Sequence, residues 1–161
     1  MEHNIDNKKA DKSDIKELID IRIKFLKYGF KETIKNNESN IKRELLSYFK
    51  EHLNKDFYAY IALNENKIIS SAFISISNIP SGVNFINGKI GTIRTVFTVD
   101  NFRRQGIAKK LIKKLIEDVS YMNLDYIELN STKEGYELYK KLGFKEIKTN
   151  YVPMRYDFSN K

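Results

Sequence analysis

Residues 90–119 read IGTIRTVFTVDNFRRQGIAKKLIKKLIEDV, and three patterns meet within them. Ile90 to Val99 is an apolar, β-branched run of strand length. From Ile107 a helix is expected: Ala108, Leu111, Ile112, Leu115, Ile116 and Val119 recur at helical spacing. Lys109, Lys110, Lys113 and Lys114 form its other face. Between strand and helix lies a basic turn, Arg103 to Gly106, with one glycine. The first N–H groups of a helix have no partner within it, and the helix dipole places partial positive charge there. A glycine lets the main chain approach a ligand closely. The product is an anion site built from main-chain donors, with arginine and lysine adding charge. An isolated R-x-x-G-x-A arises often by chance, and its plain reading is two solvated arginines beside a turn. Its place behind an apolar strand and ahead of an amphipathic helix favours a phosphate seat.

The rest of the sequence narrows the chemistry. At 161 residues, with 41% hydrophobic and 31% charged side chains, the chain suits one globular domain over residues 1–161. It has no cysteine, which excludes disulfides, thiolate catalysis and cysteine-held metals. The two histidines, His3 and His52, have no metal-ligand spacing and read as surface or satisfied side chains. The first residues, MEHNIDNKKADKSD, lack the apolar core of a signal peptide, and no run is long enough to span a bilayer, so a cytoplasmic protein is expected. The net charge of +8 is concentrated around the opening motif. Residues 101–114 hold Arg103, Arg104, Lys109, Lys110, Lys113 and Lys114 and no acidic side chain.

Along the chain, a short strand around residues 3–9 precedes a helix capped by Ser13 or Asp14, with Ile15, Leu18, Ile19, Phe25 and Leu26 at helical spacing. A second helix carries Ile41, Leu45, Phe49 and Leu53. Two strands, FYAYIAL and KIISSAFISIS, follow around the turn NEN. After the strand and helix of residues 90–119 comes a short strand, YIELN, then Ser131 and Glu134 at capping-box spacing. The helix they open ends at Leu142-Gly143, with glycine in the position after the cap. FKEI and YVPMRYDF read as two last strands. The order β-α-α-β-β-β-α-β-α-β-β predicts an α+β domain around a mixed sheet.

Two motifs in this order resemble the GNAT N-acetyltransferase superfamily. Arg103, Gly106 and Ala108 match its R/Q-x-x-G-x-G/A signature, and ELYKKLGF resembles its L-Y-x-x-x-G-F segment. The resemblance implies a mostly antiparallel central sheet flanked by helices, and acetyl-CoA as cosubstrate with no metal. It places the pyrophosphate on the turn formed by Arg103, Arg104, Gln105, Gly106, Ile107, Ala108 and Lys109. VFTVDNF is similar to the family's fourth strand and its exit, where main chain at the positions of Phe97 and Val99, around Thr98, hydrogen-bonds the pantetheine arm. Tyr139 falls at the position of the usual general acid, against a plain reading of core packing with Tyr136 and Leu142. Direct acetyl transfer to an amine needs no cysteine nucleophile, in keeping with the composition. Relatives often dimerise through their C-terminal strands, so a homodimer is also implied.

The sequence departs from the family pattern in three places. Many relatives carry a glutamate on the fourth strand to accept the amine's proton, and KIGTIRTVFTV has no carboxylate. A water relay, or Glu128, Asp100 or Tyr60, remains as the alternative, and Asp100 also replaces a frequent proline. Relatives often carry a pantetheine-binding asparagine seven residues before the tyrosine; that place is Thr132, with Asn130 nearby, and helix capping explains this pair equally well. Arg22 sits in the centre of the apolar stripe of its helix. It either snorkels or pairs with a carboxylate, or it points into an acceptor site and holds a substrate carboxylate.

The expected partners are therefore acetyl-CoA and an amine acceptor, with no nucleic acid and no membrane. Tyr28, Phe30, Tyr58 and Tyr60 could line the acceptor site as an aromatic wall or pack in the core. Two other functions fit the sequence less well: a CoA-binding sensor without catalysis, suggested by the missing carboxylate, and a basic nucleic-acid module, for which no helix-turn-helix or RNA-binding signature exists.

Overall fold

The fold is available as a computed structural model that describes residues 5–158. Contacts divide the chain into two compact units, Met1–Asn130 and Ser131–Lys161. The first contains β1 (Asp6–Lys9), α1 (Ile15–Gly29), α2 (Lys31–Ile34), α3 (Glu38–His52), β2 (Phe57–Asn64), β3 (Lys67–Asn78), β4 (Lys89–Thr98), α4 (Ile107–Val119) and β5 (Tyr126–Glu128). Its sheet runs in the order β1-β2-β3-β4-β5. The first three junctions are antiparallel and the β4–β5 junction is parallel. This is the α+β architecture with a mixed sheet that the sequence pattern predicts, mostly antiparallel as the family resemblance implies.

Local chemistry explains the boundaries. The expected first strand begins at residue 3; Asp6–Lys9 forms, and residues 3 and 4 lie outside the described residues. Of the two expected caps, Asp14 holds the N-cap position of α1, without a side-chain cap bond, and the capping interaction lies in the short turn just before it. Asp11 accepts from Ser13 N at 2.8 Å while Asp14 accepts from Asp11 N at 2.9 Å, a reciprocal capping box. In the β2–β3 hairpin, Glu65 and Asn66 both adopt left-handed φ, 49° and 61°. That turn matches the right-handed twist of the strands it joins.

The two faces of the sheet are covered separately. Leu18 and Ile21 of α1 and Phe49 of α3 pack on Phe57, Ala59, Ile61 and Phe73. Phe57 and Phe73 meet edge to face at 5.3 Å, and Phe49 meets Phe73 at 5.9 Å. On the other face α4 buries Ile107, Leu111, Ile112, Leu115 and Val119. Its lysines 109, 110 and 113 stay exposed, as the sequence period requires.

In the second unit α5 spans Tyr136–Lys141, and no further helix or strand forms among its described residues. The two last strands expected from FKEI and YVPMRYDF are thus corrected. A strand exists only within a ladder, and Pro153 has no N–H to offer one. Tyr151, Val152, Met154, Tyr156 and Phe158 are all exposed. The Ser131/Glu134 capping box is corrected as well. Thr132 takes the role, its Oγ1 accepting from Gly135 N at 3.2 Å and its carbonyl accepting from Tyr136 N at 3.1 Å.

Leu115 is 0% exposed between α4 and the sheet. Leu115→Ala is expected to lower the unfolding free energy by about 2–5 kcal/mol in urea titrations. A loss within about 0.5 kcal/mol would show that α4 does not anchor this face.

Candidate active site

The site begins where β4 outruns its neighbour. β4 pairs with β5 only through Ile90, Gly91 and Thr92. From Ile93 to Thr98 no strand formed by the described residues pairs with that side of β4. The register against β3 also shifts here: Phe73 faces Thr95 and Ile74 faces Ile93, leaving Arg94 as an exposed extra residue. Such a bulge re-aims the chain beyond it.

Val99 N donates to Ile69 O at 2.9 Å, so its main chain faces β3. Main-chain direction alternates along an antiparallel pair, so Phe97 faces β3 as well, and its carbonyl also accepts from Ser70 Oγ at 3.0 Å. The groups turned to the open edge are those of Val96 and Thr98. The pairing expected of Phe97 and Val99 is therefore shifted by one residue. Val96, which the sequence reading does not single out, lies on that open edge, and only the register against β3 reveals this. The side chains are equally committed: Phe97 packs edge-on to Phe25 at 6.0 Å, and Thr98 Oγ1 lies 2.8 Å from Ser70 Oγ.

The basic turn separates its two arginines. Arg103 folds back, donating from Nε to Thr98 O at 2.9 Å and from Nη1 to the Tyr28 hydroxyl at 3.1 Å. Its Nη2 pairs with Asp100 Oδ1 at 2.9 Å, and its guanidinium stacks 4.4 Å from the centre of the Tyr28 ring. It is a clamp joining the strand exit to α1, and Asp100 is its counter-ion. The Arg103 guanidinium, expected chiefly to hold phosphate charge, is thus engaged within the fold, and Asp100 is engaged as its partner. Arg104 is exposed and free to serve a ligand. Gln105 ties the turn by donating to Asn101 O at 3.2 Å.

Arg104 and Gly106 both hold left-handed backbone, φ 63° and 75°. For the arginine this conformation costs about 1 kcal/mol, and for the glycine little. Gly106 is the N-cap of α4, with no side-chain cap and no acidic residue in the first turn. Lys110 N makes the first helical bond, to Gly106 O at 3.1 Å. The amides of Ile107, Ala108 and Lys109 therefore have no acceptor within the helix. A Cβ at Gly106 would meet nothing within 4 Å. The space beside these donors is open, and donors, charge and room together suit a diphosphate.

In the second unit, ELYKKLGF forms a helix stop with defined geometry. Gly143 adopts φ 94°, Phe144 N donates to Tyr139 O at 3.0 Å, and Gly143 N donates to Lys140 O at 3.0 Å. This is a Schellman motif, and its customary hydrophobic contact is the Tyr139–Phe144 ring pair at 5.8 Å. The motif thus fixes the ring of Tyr139. Burial pushes the Tyr139 phenol above its ordinary value, so it remains a proton donor at neutral pH. Thr132 is occupied by capping, while Asn130 is exposed after β5, at the end of the first unit.

The other candidates separate. Tyr60 is fully buried in β2. Burial and the nearby Asp118 carboxylate raise its phenol, though the two do not reach hydrogen-bond geometry. A phenol held neutral is no base, which corrects that candidacy. Glu128 is half-buried on β5, opposite Thr92. Tyr28 and Phe30 are exposed, Tyr58 donates to Lys55 O at 2.7 Å, and Tyr60 is in the core, so the four form no single wall. His52 stacks on Tyr48 and lies 2.8 Å from Asp56, a surface pair. An open groove of about 720 Å³ runs along α3 from Asn37 to His52 and contains none of the site residues. Among the described residues, no acidic or histidine cluster could hold a metal, and no helix is long and apolar enough to cross a membrane.

With this geometry in place, the likeness to known proteins is specific. The model of the acetyltransferase (GNAT) domain matches residues 31–157. A predicted acetyltransferase from Clostridium acetobutylicum, solved with acetyl-CoA, is 30% identical, with 94% of this chain and 96% of that chain covered at a TM-score of 0.80. An aminoglycoside N-acetyltransferase solved with CoA is 14% identical, covering 96% of this chain and 97% of that one, with a TM-score of 0.72. Glucosamine-6-phosphate N-acetyltransferase from Arabidopsis thaliana is 18% identical, covering 97% and 99%, with a TM-score of 0.66. At these identities the last two share the fold alone. No curated protein matches the chain.

Arg103→Ala removes two hydrogen bonds and an ion pair at once. It is expected to lower stability by about 1–3 kcal/mol, against about 0.5 kcal/mol or less for Arg104→Ala, both read from urea midpoints. Equal effects would contradict the division of roles. Alkaline titration checks the core tyrosine. Below the ordinary phenol value of 10.0, Tyr60 is neutral folded or unfolded; above it the unfolded chain ionises first, so stability falls as pH rises. Tyr60→Phe is expected to flatten that fall between about pH 10 and 11. An unchanged slope would show that the phenol is not held in its neutral form.

Proposed function

The chain belongs to the GNAT acetyltransferase family, and we propose that it transfers an acetyl group from acetyl-CoA directly to a primary amine of a small molecule or peptide. The observation that carries this reading is the uncapped start of α4, set behind a β4 edge that no strand covers. Main-chain amides between Arg104 and Lys109 hold the pyrophosphate, with Arg104 and Lys109 adding charge. Val96 and Thr98 offer main-chain groups along the open edge for the pantetheine arm and the thioester. A main-chain donor there stabilises the negative charge that develops on the carbonyl oxygen. Asn130 is the side-chain amide left for the arm, because Thr132 caps α5. The family model crosses the boundary at Asn130 and Ser131, which supports the two units acting as one acetyltransferase domain.

The amine's lone pair attacks the thioester carbon, the carbon–sulfur bond breaks, and the products are an N-acetyl amide and CoA thiol. Tyr139 gives its proton to the departing sulfur, the attacking nitrogen, cationic once the new bond has formed, releases a proton to solvent, and the tyrosine is reprotonated from solvent. The acceptor must first lose a proton, which for an alkylammonium at pH 7 costs about 4–5 kcal/mol. β4 carries no carboxylate, Asp100 is paired with Arg103, and Glu128 lies opposite Thr92, short of the open edge, so water takes this proton. The same lack of a carboxylate keeps a second reading in play, a CoA-binding sensor without turnover. The lysine face of α4 needs no nucleic acid to explain it, being the solvent side of an amphipathic helix.

CoA at 100 times its dissociation constant is expected to stabilise the protein by about 2.7 kcal/mol in thermal melts. Thiol release over an amine panel should be reduced about 10²-fold or more by Tyr139→Phe, and wild-type activity should decline as pH rises through the raised phenol value. CoA binding with no turnover on any amine would favour the sensor. Full activity in Tyr139→Phe would remove the tyrosine from the mechanism and leave the CoA seat standing.

A further inference from the structure

Arg22 is a half-buried cation without an anion. It lies on the α1 stripe Leu18, Arg22, Phe25, which runs over β4. Phe25 meets Phe97, and Arg22 reaches Thr95, where Nη1 donates to the threonine Oγ1. The guanidinium also sits 5.1 Å from the centre of the Phe25 ring. Thr95 is 2% exposed. Among the described residues no carboxylate pairs with Arg22, and burial alone depresses its pKa. A charge withdrawn from water is costly unless it is paired, and threonine brings no charge.

A second polar group on the same face is also unsatisfied. Ser71 of β3 stands directly opposite Phe97, and cross-strand partners share a face. Its hydroxyl is fully buried and has no hydrogen-bond partner. The Thr95 bond uses one guanidinium hydrogen and leaves the Nε/Nη2 edge, the fork that takes a carboxylate or phosphate in two parallel hydrogen bonds. Thr95 immediately precedes Val96, and strand rise places it within about 10 Å of Thr98. One small molecule can therefore span from Arg22 to the stretch of β4 assigned to the thioester.

We propose that Arg22 is a specificity residue that binds an anionic group carried by the acceptor amine, so that the substrates are small amines bearing a carboxylate or phosphate. This rests on the acetyl-transfer reading for the amine's position, but the anion site itself does not.

Matched acceptors test it: α-, β- and γ-amino acids, each compared with its carboxamide and its phosphonate analogue. Wild-type kcat/KM is expected to favour the anionic member by about tenfold or more, mainly through KM. Arg22→Gln should bring that ratio close to one, and Arg22→Lys should retain part of it. A merely structural arginine would lower both members of each pair alike and leave the ratio unchanged. The carboxylate and phosphonate arms identify which anion is preferred. Circular dichroism and urea midpoints establish whether Arg22→Gln folds; if it does not, the intermediate ratio of Arg22→Lys decides. Calorimetric titration of the CoA-loaded protein with the same compounds gives a readout independent of turnover. Anion-dependent binding that is lost in the variant, with no turnover anywhere, would keep the anion site and discard the acetyl transfer. Equal handling of anionic and neutral members by the wild type, in rate or in binding, overturns the proposal.

Discussion

The whole site depends on one mismatch of length: β4 continues for six residues after its ladder with β5 has ended at Thr92. A strand edge without a neighbour presents main-chain donors and acceptors that must find partners. In an ordinary sheet that edge is a liability to be blunted by charge, proline or a bulge. Here a bulge at Arg94 turns the strand, and the main-chain groups of Val96 and the amide of Thr98 are left facing outward, the Thr98 carbonyl being taken by Arg103. The same strand then runs directly into the turn before α4. An edge that lacks partners and a helix start that lacks a cap therefore lie on one continuous stretch of chain. An extended ligand with a thioester at one end and a diphosphate along it suits both deficits together.

The turn shows how structural charge and ligand charge are kept apart. Arg103 and Arg104 are adjacent and chemically identical, yet they have different work. Arg103 has hydrogen-bond acceptors in Thr98 and Tyr28 and a counter-ion in Asp100, so it holds the strand exit against α1. Arg104 holds left-handed backbone and stays exposed. Asp100 stands where relatives often have a proline that would stiffen the turn through its ring. The Arg103–Asp100 pair offers the same restraint through charge, which accounts for the substitution in physical terms.

Much of this was legible in the sequence, and the limits have identifiable causes. Helix α4 and its cradle were legible because apolar periodicity, an absent cap and an isolated glycine are all local properties of the chain. The Schellman stop after Tyr139 was legible for the same reason, through Gly143. The face of each β4 residue was not, because a bulge changes the count and only register against β3 reveals it. The last two strands were misread because alternation records a side-chain period and cannot supply a neighbour. Arg103 was misread because its acceptors are a carbonyl five residues back and a tyrosine 75 residues upstream.

Arg22 stands between these cases. Its position in the apolar stripe was visible from helical geometry, and that position alone demanded a partner. What the sequence could not show was which partner it has. Had a carboxylate been found beside it, the arginine would have closed as a structural pair and the acceptor site would have remained featureless. Instead the fold gives it a neutral hydroxyl and an aromatic face, with a buried, unpartnered serine on the same face of the sheet. Withdrawing a cation from water lowers stability, and a neutral acceptor and an aromatic face offset only part of that loss, since no carboxylate among the described residues pairs with it. An anionic group on the acceptor supplies the missing counter-charge. This constrains the acceptor more tightly than the shape of any loop, since charge leaves fewer alternatives than volume does.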